Sequence, residues 1–220
     1  MKILVACEES QAVTIEFRKR GHEAYSCDIE PCSGGHPEWH LQVDALELLK
    51  MQWDIIIAFP PCTYLTAAGA VRLFDSKGEI KDVNRYEKGK IAADFFLRFL
   101  NADCGRIAVE NPRMLKCFGL PKYSQVIEPY MFGDPWKKRT CLWLKGLPPL
   151  LPTEWVEPKG LWVGSTCANR DPKIYTKYKL HSNRDPRIRA KTFPGIAKAM
   201  AEQWGNMEPD QYPKKKGQED

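Results

Sequence analysis

The run Trp53–Phe59, WDIIIAF, is the feature that most constrains the fold of this chain. Its three consecutive isoleucines are β-branched and favour a strand. Apolar residues at successive rather than alternate positions imply that both faces of the strand are buried, as in the middle of a parallel sheet. Pro60 and Pro61 end the strand abruptly because proline cannot donate to a ladder. Parallel neighbours need long crossover connections, so the run predicts an α/β chain.

The rest of the N-terminal part alternates strand and helix patterns at the spacing of βαβ units. Ser10 is the predicted N-cap of a helix that continues to about Arg20, before Gly21. The stretch Thr63–Arg85 is polar and is predicted to be a loop. The other predicted elements are strands at Lys2–Ala6, His22–Asp28 and Arg106–Val109, and helices at Ala45–Lys50 and Tyr86–Leu100. We therefore predict a doubly wound, mostly parallel sheet with a small basic C-terminal appendage.

Length and pattern together predict one main domain with additions. Residues 1–144 form the predicted catalytic domain, which includes later strands at Ser124–Ile127 and Thr140–Leu144. Residues 145–191 form a short, basic, loop-rich segment. Residues 192–206 contain a closing helix, Gly195–Trp204, that returns to the first domain. Residues 207–220 are charged and poor in apolar residues, and are predicted to be a disordered tail.

Composition excludes several classes of protein. No stretch approaches the roughly 20 apolar residues of a membrane span. The start MKILVACEES turns acidic too soon for a signal peptide. We expect no membrane partner and a cytoplasmic location.

The cysteine pattern bears on metal binding. The eight cysteines form no C-x-x-C pair. Cys27, Cys32, His36 and His40 are residue types that bind zinc, but their spacing fits no common finger. We predict no metal site.

Charge is divided unevenly along the chain. Residues 1–136 carry 16 Lys and Arg against 19 Asp and Glu, a net charge of −3. Residues 137–220 carry 17 against 9, a net charge of +8. The C-terminal third is therefore the part suited to a polyanion, although a merely solvated basic face has the same charge.

Polar residues gather where the predicted strands end. The carboxyl ends of parallel strands lie along one rim of the sheet, where ligands bind. The first strand ends at Cys7-Glu8-Glu9-Ser10, and Asp28 and Asp44 follow the next two strand positions. The other two strand ends are Pro60-Pro61-Cys62 and Glu110-Asn111-Pro112. This rim offers a nucleophile with an acid partner, and carboxylates suited to ribose hydroxyls and an adenine amine.

These residues resemble the DNA cytosine carbon-5 methyltransferase family. Asp54–Cys62 looks like that family's strand and Pro-Cys loop, and Val109–Pro112 looks like its Glu-Asn-Val strand end. The separation of 48 residues between Cys62 and Glu110 is close to the family's spacing. The resemblance implies a Rossmann-like class I fold dependent on S-adenosylmethionine, with Cys62 as nucleophile and Glu110 as acid. The reduced length is similar to compact bacteriophage and prophage forms, and this resemblance implies a bacterial host or a phage-infected cell.

A later motif of the family is partly matched. Phe132-Gly133-Asp134-Pro135 corresponds to its opening, and Trp136, Lys138 and Thr140 occupy its Gln-Arg-Arg places. A cation beside the base oxygen is expected here. Arg139 is the predicted catalytic cation, with Lys138 as the alternative and as a nucleic-acid contact.

The resemblance also implies a cofactor site. Asp28 corresponds to the carboxylate that holds ribose hydroxyls, and Asp44 to the one that binds the adenine amine. The first loop lacks the family's glycines, and the segment Lys191–Met200 lacks the Gly-Asn pair of its closing helix. The predicted cofactor-binding residues are Cys7, Glu8, Ser10, Asp28, Ile29, Asp44, Ala45 and Pro60.

In place of a large target-recognition domain, the chain has a short basic segment interleaved with Tyr175, Tyr178 and His181. Cations contact phosphates, and aromatic rings stack on bases. We expect DNA as the partner, with cytosine as its target. A free cytosine nucleotide as substrate and a catalytically silent DNA-binding protein are the alternatives. The predicted nucleic-acid contacts besides Lys138 are Arg170, Lys173, Lys177, Lys179, Arg184, Arg187 and Arg189.

Overall fold

The computed structural model of the chain describes residues 1–158 and 190–207. Within these ranges the strands are β1 (Lys2–Ala6), β2 (Glu23–Cys27), β3 (His40–Leu41), β4 (Ile55–Ala58), β5 (Ile107–Asn111), β6 (Gln125–Ile127) and β7 (Thr140–Lys145). The α-helices are α1 (Ala12–Arg18), α2 (Ala45–Leu48), α3 (Ala70–Leu73), α4 (Val83–Leu100) and α5 (Pro194–Gly205).

The strands form one seven-stranded sheet in the order β3-β2-β1-β4-β5-β7-β6. The pairs from β3 to β5 are all parallel, whereas β7 runs antiparallel to both of its neighbours, β5 and β6. The sheet is thus mostly parallel, which confirms the predicted α/β architecture and is compatible with a Rossmann-like fold. Strand order reverses between β1 and β4, and this switch point is where open α/β sheets bind ligands.

A hydrophobic core lies on each face of the sheet. Alternation along β4 places Ile55 and Ile57 in the core that contains α1 and α5. Ile56 lies in the opposite core, with Phe96 of α4. All three isoleucines are essentially inaccessible to water, as the continuous apolar run predicted.

Helix α5 joins the C-terminal part of the chain to the first core. Its Trp204 is fully buried, and the Trp204 Nε1 atom donates a hydrogen bond of 3.0 Å to the Pro148 carbonyl. At the other end, Asp134 Oδ2 accepts a hydrogen bond of 2.9 Å from the Gly195 backbone N–H. A Cβ atom on Gly195 would lie 1.8 Å from the Phe132 carbonyl oxygen, so glycine is required for this approach.

Several boundaries differ from those predicted. Helix α1 begins at Ala12, with Gln11 and not Ser10 at the N-cap position. Glu110 lies within β5 rather than after it, because pairing with β7 extends the strand to Asn111. The predicted loop 63–85 contains α3 and the start of α4.

The predicted basic segment falls mostly on residues 159–189, and the predicted tail mostly on 208–220. Both ranges lie outside the described residues. In the described part of the chain, no helix has the length and apolar character needed to cross a membrane.

Candidate active site

The loop after β4 places Cys62 at the switch point of the sheet. The Phe59 N–H donates to the Ala6 carbonyl at 2.9 Å, so β4 follows β1 up to the prolines. The Cys62 carbonyl then accepts hydrogen bonds of 3.0 Å from both Leu65 and Thr66 N–H groups. This turn reverses the chain at once and leaves Cys62 half-buried on the rim.

The Cys62 loop is tied to the segment that follows β5. Asn111 is fully buried, and its Nδ2 atom donates a hydrogen bond of 2.7 Å to the Pro60 carbonyl. Beyond it, the Leu115 N–H donates to the Leu65 carbonyl at 2.8 Å, and Thr66 forms an antiparallel bridge with Met114. The structure therefore joins the two motifs that lie 48 residues apart in sequence.

Glu110 lies on the α5 face of the sheet, because alternation along β5 directs it to the same side as Ala108. Burial raises the pKa of its carboxyl group above the ordinary value, and the nearby Lys138 charge and a Thr140 hydrogen bond partly oppose that rise. The carboxyl lies in a small pocket. The residues lining that pocket are Phe59, Glu110, Lys138, Thr140, Thr192, Phe193, Ile196 and Met200.

Lys138, rather than Arg139, is the cation beside Glu110. The Lys138 Nζ atom lies 3.4 Å from the carbonyl oxygens of Ala190 and Lys191, and 5.9 Å from the Phe193 ring centroid. Arg139 is exposed and does not line the pocket. In extended chain, positions 138 and 140 share a side and position 139 takes the other. Of the two candidates for the cation beside the base, Lys138 therefore lines the pocket and Arg139 does not.

The loop after β1 contains no glycine, and two of its residues adopt strained backbone conformations. Cys7 and Gln11 adopt φ values of 59° and 58°, in the left-handed region that glycine usually occupies. Such a conformation costs roughly 1–2 kcal/mol for each of these residues. The Gln11 side chain offsets part of this cost. Its amide donates to the His36 carbonyl at 2.8 Å, and its oxygen accepts from the His36 N–H at 3.0 Å.

The Glu8 side chain is hydrogen-bonded to the first turn of α1. Its carboxylate accepts hydrogen bonds from the Val13 N–H at 2.6 Å, the Thr14 N–H at 3.3 Å and the Thr14 hydroxyl at 2.8 Å. Burial raises its pKa to about 7, although these hydrogen bonds act in the opposite direction. Glu8 therefore caps α1 in the role expected of Ser10, and its carboxylate is directed into the protein rather than towards a cofactor.

The remaining predicted cofactor residues lie at the ends of β1, β2, β3 and β4. Burial raises the pKa of the Cys7 thiol strongly, and the charges of Asp28 and Asp44 raise it further, so these side chains are neighbours. Asp44 caps α2 by accepting from the Leu46 N–H at 2.9 Å. Ile29 is 71% exposed. Of the other residues in the predicted set, Ser10 is half-buried, Ala45 and Pro60 are buried, and the Pro60 carbonyl is occupied by Asn111.

The loop after β2 crosses towards the segment that precedes α5. The Ser33 hydroxyl hydrogen-bonds the Glu9 carboxylate, and the Lys191 Nζ atom reaches the same hydroxyl at 3.2 Å. Lys191 adjoins Thr192 and Phe193, which line the Glu110 pocket. The loop thus connects the rim of β1 with the pocket.

Three of the four residues suited to zinc have partners of their own. The Cys27 thiol contacts the Val43 carbonyl at 3.3 Å, His36 stacks on Trp39 at 3.9 Å, and His40 lies 2.8 Å from the Ser26 hydroxyl. Across residues 1–158 and 190–207, no group of three or more His, Cys, Asp or Glu residues is arranged to hold a metal ion.

Two functional contacts were missed by the sequence reasoning. Asn111 was part of a recognised motif, but a pattern of residue types does not reveal which carbonyl its amide reaches. Thr140, which hydrogen-bonds Glu110, was identified from the sequence only as the residue at a position where the family motif has arginine. Of the predicted nucleic-acid contacts, Lys138 is in the described part of the chain, whereas Arg170, Lys173, Lys177, Lys179, Arg184, Arg187 and Arg189 lie outside it.

The described site thus combines a half-buried thiol, a carboxyl group whose pKa is raised by burial and a nearby ammonium group. Carboxylates and an exposed apolar side chain lie on the adjoining rim. Such a set suits covalent addition to an electron-poor ring, with an acid at the ring nitrogen. No protein-family model matches this chain, and no curated protein sequence matches it.

Proposed function

We propose that the protein transfers a methyl group from S-adenosylmethionine to carbon 5 of cytosine in DNA, through a covalent adduct with Cys62. The observation that carries the proposal is the junction between the two loops. The Asn111–Pro60 hydrogen bond of 2.7 Å fixes the loop of a thiol next to the strand of a buried acid. A Rossmann-like class I methyltransferase fold, as the resemblance implies, is part of the same proposal.

Each residue has a defined part in the addition. The Cys62 thiolate forms a bond to carbon 6 of cytosine, and the ring electrons move towards nitrogen 3. Glu110 in its acid form donates a hydrogen bond to that nitrogen and stabilises the charge developing there. The raised pKa of Glu110 supports this part, because a carboxylate could not donate. Carbon 5 thereby becomes nucleophilic.

S-adenosylmethionine, when bound, would supply the electrophilic methyl group to carbon 5 and leave as S-adenosylhomocysteine. After transfer, a base removes the proton from carbon 5, and the bond between sulfur and carbon 6 breaks to return the Cys62 thiolate. Lys138 and Thr140 line the same pocket as Glu110, and Phe59, Phe193 and Ile196 supply its apolar walls. Exclusion of water strengthens each of these polar interactions.

The rim of β1 and β2 fits the adenosine part of the cofactor. Asp28 follows β2, where a carboxylate receives ribose hydroxyls in dinucleotide-binding sheets. Ile29, which is 71% exposed, offers an apolar surface for an adenine face, and Asp44 offers an acceptor for its amine. The left-handed backbone at Cys7 and Gln11 supports close approach despite the absence of glycine.

The test is transfer of label from methyl-labelled S-adenosylmethionine to duplex DNA or to dCMP. Cys62→Ala abolishes transfer, whereas the control Cys117→Ala, at an exposed free cysteine, leaves it unchanged. Label on DNA but not on dCMP separates the proposed substrate from the free nucleotide. Label on neither substrate contradicts the proposal, as does label undiminished by Cys62→Ala.

A further inference from the structure

Two cations are held against the loop that carries Cys62. The Arg85 guanidinium carbon lies 5.1 Å from the centroid of the Tyr64 ring, and the Lys88 Nζ atom lies 5.9 Å from it. The Arg85 Nη2 atom also donates a hydrogen bond of 2.6 Å to the Thr63 carbonyl. Tyr64, Arg85 and Lys88, the rim cluster, thus connect the start of α4 to the residues that follow Cys62.

The charges of the rim cluster differ from those further along the same helix. Lys90 forms a salt bridge of 2.8 Å with Glu87, and Arg98 forms one of 2.9 Å with Asp94. Neither Arg85 nor Lys88 forms a salt bridge with any of the described residues. The nearby Asp82 accepts from the Arg85 backbone N–H at 2.8 Å and caps α4.

Such an arrangement suits phosphate. The ring holds both cations in place, so little side-chain freedom is lost when an anion binds. A guanidinium group has five N–H donors, and the contact with Thr63 leaves others for two oxygens of one phosphate. Helix α4 lies on the face of the sheet opposite α5, which lines the Glu110 pocket. A ligand that reaches both must therefore pass across the Cys62 loop.

We infer that the rim cluster binds the phosphodiester backbone of the strand that carries the target cytosine. A nucleoside monophosphate such as dCMP in the Glu110 pocket has no second phosphate to reach the opposite face of the sheet, whereas a polynucleotide has one at each neighbouring nucleotide. The inference rests on the proposed function for the position of the base. It assigns nucleic-acid contacts to the acidic N-terminal part of the chain, in addition to the basic C-terminal third.

The test is binding of fluorescently labelled DNA to the full chain without cofactor, followed by anisotropy between about 50 and about 200 mM salt. Lys88→Gln weakens binding several-fold. It also reduces the slope of log affinity against log salt by about 0.9 for duplex DNA and about 0.7 for a single strand. Lys90→Gln, two residues further along α4 and already paired with Glu87, is the matched control and behaves like the parent protein.

A second variant tests whether the effect of Lys88→Gln comes from the rim cluster or from a local change of structure at position 88. Tyr64→Leu keeps both charges but removes the ring that holds them, so it weakens DNA binding with a smaller change in slope. The inference is overturned if Lys88→Gln and Lys90→Gln give the same affinity and slope, or if the parent protein does not bind DNA at the lower salt concentration. Because no cofactor is present, this result is independent of methyl transfer, which tests the proposed function alone.

Discussion

The side-chain amide of Asn111 donates a hydrogen bond of 2.7 Å to the carbonyl oxygen of Pro60. This bond crosses from β5 to the loop after β4 and lies in the interior, away from water. Its neighbour in sequence, Glu110, reaches the pocket on the other face of the sheet. Two adjacent residues thus fix both chemical partners of the proposed reaction.

Asn111→Ala removes this bond and leaves the Pro60 carbonyl without its donor. We expect a loss of about 1–3 kcal/mol in the free energy of unfolding. We also expect methyl transfer to fall roughly 100-fold, because a small displacement of a nucleophile is costly. Thermal unfolding and initial rates measure the two effects. Gln125 lies on the edge strand β6 and makes comparable hydrogen bonds to the Leu150 backbone. Gln125→Ala is the control, and it is expected to reduce stability while sparing the rate. Equal losses of rate in both variants would show that Asn111 acts through stability alone.

Lys138→Gln is expected to move the pH dependence of the rate. The Lys138 charge opposes the rise in the pKa of Glu110, so its removal raises that pKa further. In the proposed mechanism the acid form of Glu110 is the active one, so the rate is expected to fall as pH rises through this pKa. The alkaline limb of the pH–rate profile therefore moves to higher pH in Lys138→Gln. Arg139→Gln is the matched control, and an equal displacement of the limb in both variants would contradict the assignment of Lys138.

The raised pKa of Glu8 predicts that the free energy of unfolding depends on pH. Its pKa rises from 4.5 to about 7 on folding, so between these values the folded state binds more protons than the unfolded state. Stability contributed by the acid form is therefore present at low pH and is lost as pH rises towards 7, with a slope of at most about 1.4 kcal/mol per pH unit. Chemical denaturation across this range, for the parent and Glu8→Gln, measures the difference. The variant lacks this slope, and parallel curves for the two proteins would refute the prediction.

Asp28→Ala is expected to weaken binding of S-adenosylmethionine about 10-fold or more, since loss of a hydrogen bond from a charged acceptor costs about 1.5–3 kcal/mol. Isothermal titration calorimetry gives the dissociation constant. Glu47→Ala, at an exposed position in α2, is the control of equal charge change.

Asp28→Ala is also expected to lower the pKa of the Cys7 thiol, because the Asp28 charge contributes to the rise in that pKa. Faster alkylation of Cys7 at alkaline pH would report that change even if the cofactor were bound elsewhere.

The sheet and the rim were predictable because they follow from local pattern and a general rule of topology. Three isoleucines in succession require burial on both sides, and parallel strands place their carboxyl ends together. Those two facts brought Cys62, Glu110 and Asp28 to one rim. The antiparallel insertion of β7 between β5 and β6 was not predictable, since nothing in Thr140–Lys145 specifies direction.

The details of the site depended on contacts that sequence patterns do not encode. The choice between Lys138 and Arg139 depends on the side from which the chain enters β7. The cap of α1 came from Glu8, because the left-handed turn at Gln11 directs the N–H groups of Val13 and Thr14 towards that carboxylate. The loop contact between Gln11 and His36 links positions 25 residues apart. Each of these contacts depends on a backbone conformation that is set by the tertiary structure.

The alternation of β5 makes the proposed chemistry sensitive to register. The strand pairs Glu110 with Leu142 and Asn111 with Cys141, and it sends the first side chain to the pocket and the second to the Cys62 loop. A slip of one residue would exchange the two. An acid would then enter the apolar interior, and an amide that cannot act as an acid would face the pocket. Insertions or deletions of one residue in β5 should therefore abolish function more completely than most substitutions.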